Sequence, residues 1–78
     1  MAELQKTLHD MAAAIVDSPD EVKVLYEEDD DTITMTLTVA PDDMGMVIGR
    51  HGRIAKAIRT VIKAAAAPGG KKVNVEIR

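Results

Sequence analysis

Gly49 and Gly52 stand three residues apart, with Arg50 and His51 between them and Arg53 and Lys56 just beyond. This spacing suits an anion. Two glycines at a helix–helix junction let the backbone approach a ligand with no Cβ in the way. The helix that follows adds its unsatisfied N-terminal N–H groups. Arg50 and His51 project outward and Arg53 completes a cationic rim, so phosphate is the natural guest. A phosphate loop of the nucleotide-hydrolase kind is excluded, because no Lys-Ser/Thr pair ends the glycine run. A bare GxxG is a weak signal by itself. It gains specificity here from Val47-Ile48 before it and Arg53-Ile54 after it.

The elements that must hold this corner are legible in the apolar pattern. Leu4, Leu8, Met11 and Ile15 form one helical stripe, with Ala12 and Val16 beside it, and Asp17-Ser18-Pro19 ends the helix. A strand is expected over Glu21 to Glu28, where Val22, Val24 and Tyr26 alternate and Leu25 breaks the rhythm. A second runs over Thr32 to Val39, with Ile33, Met35, Leu37 and Val39 on one face and four threonines on the other. The acidic run Glu27–Asp31 between them reads as a hairpin tip that keeps a strand edge soluble. It lacks the spacing and the glycine of a calcium loop. Ala40-Pro41-Asp42-Asp43 opens a short helix to Ile48. A longer helix runs from Arg53 to about Ala67 and stops at Pro68-Gly69-Gly70. The last strand, Lys72 to Arg78, turns Val73, Val75 and Ile77 inward.

On a wheel of about 100° per residue, Val61, Ile54, Ala65 and Ile58 of the long helix make the stripe that should face the sheet. Ile62 falls off that stripe, as an exposed position suited, with Ala64–Ala67, to contact another chain. Arg53, Lys56, Arg59 and Lys63 collect on the cationic side. The resulting order is α-β-β-α-α-β. The strands on either side of the helix pair should be parallel neighbours in a mixed three-stranded sheet, with three helices on one face.

Composition sets the outer limits. Seventy-eight residues make one domain, and 46% apolar content must build its core without Phe, Trp or Cys. No stretch approaches the roughly 20 apolar residues that span a bilayer, and Met1-Ala2-Glu3 is not the start of a signal peptide. The expectation is a cytoplasmic protein with no membrane contact. The net charge of −3 is unevenly spread. Residues 1–44 hold two basic side chains against twelve acidic ones, whereas residues 45–78 hold eight against Glu76 alone. No acid occurs between Gly45 and Val75. A helix that is only solvated would mix both signs, so a basic face for a polyanion is favoured.

Enzyme chemistry finds no footing. His9-Asp10 is better read as a helix-surface pair, since His51 is the only other histidine and no catalytic triad or carboxylate pair is convincingly spaced. No metal ligands and no cofactor are expected.

The segment Val47-Ile48-Gly49-Arg50-His51-Gly52-Arg53 resembles the signature loop of the KH domain, and the element order resembles its type II, prokaryotic topology. Asp43-Met44-Gly45, Val47-Ile48-Gly49 and Gly52 to Thr60 are similar, more narrowly, to the KhpA (YlqC) family of small bacterial RNA-binding proteins. The resemblance spans the whole chain as a single KH domain, residues 1–78. It implies single-stranded RNA, about four nucleotides clamped at the turn, in a bacterial post-transcriptional regulator or RNA chaperone. It also implies dimerisation, by self-association or as a heterodimer with a Jag-type KH protein. Carried over, Gly49, Arg50, His51 and Gly52 are the clamp, and Arg53 and Lys56 flank the RNA backbone. Ile48, with Val47 or Ala55, belongs to the apolar floor under the bases, although each also reads as core. Lys71 and Lys72 either extend the rim or sit on a solvated turn. Met46 stands where relatives often carry lysine, which implies a weaker grip on phosphate.

No Phe or Trp is present to stack on bases, and Tyr26 lies far from the turn in sequence. Binding should therefore be weak, modestly selective and salt-sensitive, resting on phosphate contacts and base edges. The rival reading is a dimerising protein–protein interaction module whose GxxG loop is vestigial.

Overall fold

The Thr/apolar alternation of residues 32–38 places the central strand of the sheet. The computed structural model describes residues 2–78; Met1, the first residue of the Met1-Ala2-Glu3 start, lies outside them. Strand β2 (Thr32–Thr38) pairs antiparallel with β1 (Lys23–Glu28), from Lys23 opposite Thr38 to Glu28 opposite Ile33. On its other side β2 pairs parallel with β3 (Lys72–Ile77), from Thr32 opposite Lys72 to Leu37 opposite Ile77. The sheet order is β1-β2-β3. Three α-helices cover one face: α1 (Ala2–Ala13), α2 (Met44–Ile48) and α3 (Arg53–Ala66). This is the α+β arrangement expected from the sequence. Single 3-10 turns at Pro19–Glu21, Pro41–Asp43, Arg50–Gly52 and Ala67–Gly69 join the elements.

The core joins Ile33, Met35 and Leu37 of β2 and Val73 and Val75 of β3 to apolar residues of all three helices. Two helices present a different face from the one periodicity suggests. In α1 the buried residues are Leu4, Leu8 and Ala12, followed by Val16, while Ile15 is exposed. The helix ends at Ala13, so Ile15 lies beyond its last turn and leaves the stripe, while Met11 stays packed against the core. In α3 the buried residues are Ala55, Ile58, Ile62 and Ala66. Ile62 is fully buried, and Val61 is 47% exposed. The apolar arc of α3 is wide, and the face that packs lies to one side of the stripe the wheel picks out. With Ala55 and Ala66 facing inward, the helix can approach its neighbours closely, with Ile58 and Ile62 filling the centre.

Both outer strands have an edge carbonyl satisfied by a helix side chain. Gln5 of α1 donates from Nε2 to Val24 O of β1 at 2.7 Å. Arg59 of α3 donates from Nε to Val75 O of β3 at 3.1 Å. Each bond blunts an edge that would otherwise template another strand.

Asp43 is the one buried charged residue among those described, at 3% exposure. Its Oδ2 accepts the Ser18 backbone N–H at 2.9 Å, tying the α1–β1 connection to the start of α2. At the hairpin, Asp29 Oδ1 accepts from the backbone N–H groups of Asp31 and Thr32. Lys71 Nζ donates to Glu28 Oε2 and to Asp29 O, clasping the acidic turn to the start of β3. The Lys71 ammonium, and after it the Tyr26 hydroxyl, hold the Glu28 carboxyl below its ordinary value. A depressed carboxylate contributes stability above its unfolded pKa and loses it as pH falls through the lowered one, so this clasp opens only in acid.

Candidate nucleic-acid interface

Between α2 and α3 the chain turns through a backbone path that only certain residues tolerate. The Gly49 N–H closes α2 on Gly45 O at 2.9 Å, and Gly49 then takes φ 75°, ψ 174°. That region is essentially confined to glycine. A Cβ at Gly49 would lie 2.6 Å from Ile54 Cγ1 and 2.9 Å from Ile54 Cβ. Glycine is thus required there both by backbone conformation and by the close passage of α3. His51 (φ 57°, ψ 25°) and Gly52 (φ 73°, ψ 13°) follow, both left-handed. A histidine in this region costs about 1 kcal/mol relative to an ordinary conformation. Such strain is typical of sites where the backbone is shaped for a ligand. With Gly52 at its N-cap and no acid in its first turn, α3 begins with no side-chain cap. The Arg53 N–H donates back to Arg50 O, but no side chain caps the N–H groups that follow, and no acid offsets the positive end of the dipole.

Gly49, Arg50, His51, Gly52, Arg53 and Lys56 all fall within this corner or the first turn of α3. The four charged or titratable side chains are exposed, and the two glycines half-buried. Of the three apolar residues considered for the floor, Val47 and Ala55 are buried in the core, and only Ile48, 38% exposed, reaches solvent. Ile54, which the wheel assigns to the core stripe, instead lies half-open against Gly49, an apolar shoulder beside the turn.

Few of the basic side chains are held in ion pairs. Lys6 pairs with Asp10, Lys71 with Glu28 and Arg78 with Glu76. Among the described residues, Arg50, His51, Arg53, Lys56, Arg59, Lys63 and Lys72 have no carboxylate partner. Lys71, one of the two candidates for extending the rim, is tied into the hairpin clasp. Lys63, Lys71 and Lys72 line a shallow cavity of about 330 Å³ beside β3, with Ala67, Val73 and Asn74. A run of unpaired cations from the turn along α3 is what a polyanion would neutralise.

A mixed sheet of αββααβ order, carrying a GxxG turn between its paired helices, defines a KH domain of type II. The family model described as "KhpA/KhpB, KH domain" matches residues 5–77, and the chain belongs to that family. It is 54% identical over 74 residues to the RNA-binding protein KhpA of Clostridium acetobutylicum, covering 95% of this chain and 99% of the relative. The RNA-binding protein KhpA of Caldanaerobacter subterraneus subsp. tengcongensis is 53% identical over 77 residues, with 99% of each chain covered. That of Listeria monocytogenes is 40% identical over 74 residues, with 95% and 97% covered. Among solved structures the chain resembles part of Era in complex with MgGDPNP and nucleotides 1506–1542 of 16S ribosomal RNA. The TM-score is 0.70 at 16% identity, over 95% of this chain and 28% of that one, a likeness of fold.

Proposed function

We propose that this chain is a single-stranded RNA-binding module, not an enzyme, and that it holds about four nucleotides against the Gly49–Gly52 corner. The observation that carries the reading is the coincidence of a strained, glycine-shaped turn with a run of cations that no carboxylate among the described residues neutralises. The names of its relatives agree with it. In this reading the N–H groups at the start of α3, with Arg50, His51, Arg53 and Lys56, take the phosphates. Ile48 meets a base from below. Weak affinity for one strand fits a post-transcriptional regulator or RNA chaperone of the bacterial cytoplasm that gains avidity from a KH-type partner.

Binding of a fluorescent single-stranded RNA across a salt series tests this. Neutralising two to four phosphates gives a log–log slope of about −1.5 to −3. A flat response contradicts the reading.

Self-association is part of the same proposal. Ile62 cannot serve it, being enclosed in the core, but Val61 and Ala65 of α3 are exposed on an adjoining flank. A second copy of the chain is the occupant proposed for that flank, giving a dimer by sedimentation at micromolar concentration. A strict monomer there that forms a complex only with a Jag-type KH protein would replace the homodimer with the heterodimer. This exposed flank also favours the second reading, an interaction module with a vestigial loop, which differs in leaving RNA unbound.

A further inference from the structure

We propose that Arg59 selects the base, favouring cytosine and guanine over adenine and uracil; this rests on the RNA-binding reading above. Arg59 differs from the other cations of α3 in being anchored. Its Nε donates to Val75 O at 3.1 Å, across the cleft between α3 and the edge strand β3. The residues around it place this bridge in the path of a bound strand. Lys56 lies one turn nearer the Gly49–Gly52 corner. Lys63 and Ala67 lie one and two turns further on, lining the cavity with Lys72, Val73 and Asn74. A backbone tracking Arg53, Lys56 and Lys63 therefore carries its bases past the guanidinium.

Fixing Nε changes what the side chain can read. A free arginine is a mobile positive charge that suits any phosphate. One tethered through Nε holds its plane against the strand edge, and only the Nη1/Nη2 fork is left to donate. That fork has no acceptor among the described residues. A planar pair of donors is matched by two adjacent acceptors on one base edge. Cytosine offers N3 and O2, and guanine offers O6 and N7. Adenine places its N6 amino donor beside N7 and N1, and uracil places its N3–H donor between its two carbonyls, so each turns a donor toward the fork. With no aromatic platform in the chain beyond Tyr26, base-indifferent stacking contributes little to mask this preference.

The test is fluorescence anisotropy on the full chain with labelled C8, U8 and A8 RNAs, and with (GA)4 against its 7-deazaguanine form, at one fixed salt concentration. The wild-type chain should bind C8 about fivefold or more tighter than U8 or A8, and the 7-deaza substitution should weaken (GA)4. Arg59→Lys keeps the charge and loses the fork, so its affinities for the three homopolymers should converge while that for U8 changes less than twofold. Arg59→Gln, followed by its melting curve, serves if the lysine variant does not fold, and should lose the preference likewise. Equal wild-type affinities for C8, U8 and A8 overturn the proposal and leave the clamp standing. So does an Arg59→Lys variant that weakens every RNA by the same factor, which marks a phosphate or structural contact. Absence of binding to any of the RNAs sinks the RNA-binding reading itself, and this proposal with it.

Discussion

Replacing Arg50 and His51 together by Asp is expected to reduce single-stranded RNA affinity at least thirtyfold, with fold and oligomeric state unchanged. Two exposed side chains that face phosphate become carboxylates. Like charges a few ångströms apart in a partly solvated site repel by about 1–4 kcal/mol, and the original attraction is lost as well. The fold should tolerate the change. Neither side chain is buried. Asp accepts the left-handed backbone of position 51 more readily than most residues do. Acids just ahead of α3 also complement its dipole, so melting temperature should hold or rise slightly. Anisotropy titration gives the affinity, circular dichroism the fold and sedimentation the oligomer. RNA binding that survives the double substitution removes the clamp, whereas loss of binding with an intact dimer separates the clamp from the vestigial-loop reading.

Gly49→Ala is expected to cost about 3 kcal/mol of stability, and Gly52→Ala only about 1 kcal/mol. At Gly49 the φ 75°, ψ 174° conformation alone penalises a Cβ by about 1–3 kcal/mol. The new methyl then meets Ile54, and overpacking of this kind adds about 1–3 kcal/mol. The Ile54 Cγ1 and Cδ1 atoms can swing away by a rotamer change. Its Cβ, 2.9 Å from the new atom, moves only if α3 moves. Gly52 is left-handed too, but a methyl there would meet no atom within 4 Å, so only backbone strain remains. Urea unfolding of both variants checks the order as well as the sizes. Equal losses would mean that the close passage of Ile54 does not constrain the corner.

The parts of the molecule that local pattern governs are legible in the sequence. Strict alternation from Thr32 to Thr38 places the central strand. Pro68-Gly69-Gly70 places the end of the α3 region, and the helix pair between β2 and β3 implies their parallel pairing. The corner can be read because glycine spacing and basic neighbours are local too. What local pattern misses is phase and partnership. The apolar arc of α3 is broader than its contact face, so wheel angle alone puts Val61 inside and Ile62 outside, the reverse of the structure. In α1 the small Ala12 is buried, not the larger Ile15, because the helix stops two residues short of it. Asp43 reads as an acid favoured by a helix dipole, yet its carboxylate accepts a backbone N–H from 25 residues earlier. Lys71 reads as rim or as solvated turn, yet it reaches Glu28, 43 residues away. Bonds of that range depend on how the elements dock, which no periodicity encodes.

Amide NMR during titration with a short mixed-sequence single-stranded RNA tests the central claim most directly. The expected result is a contiguous set of shifted or broadened signals from Ile48 to Arg53 and at Lys56, with the Glu27–Asp31 hairpin unmoved. Perturbations centred on that hairpin or on α1, with the Gly49–Gly52 signals unmoved, would contradict it.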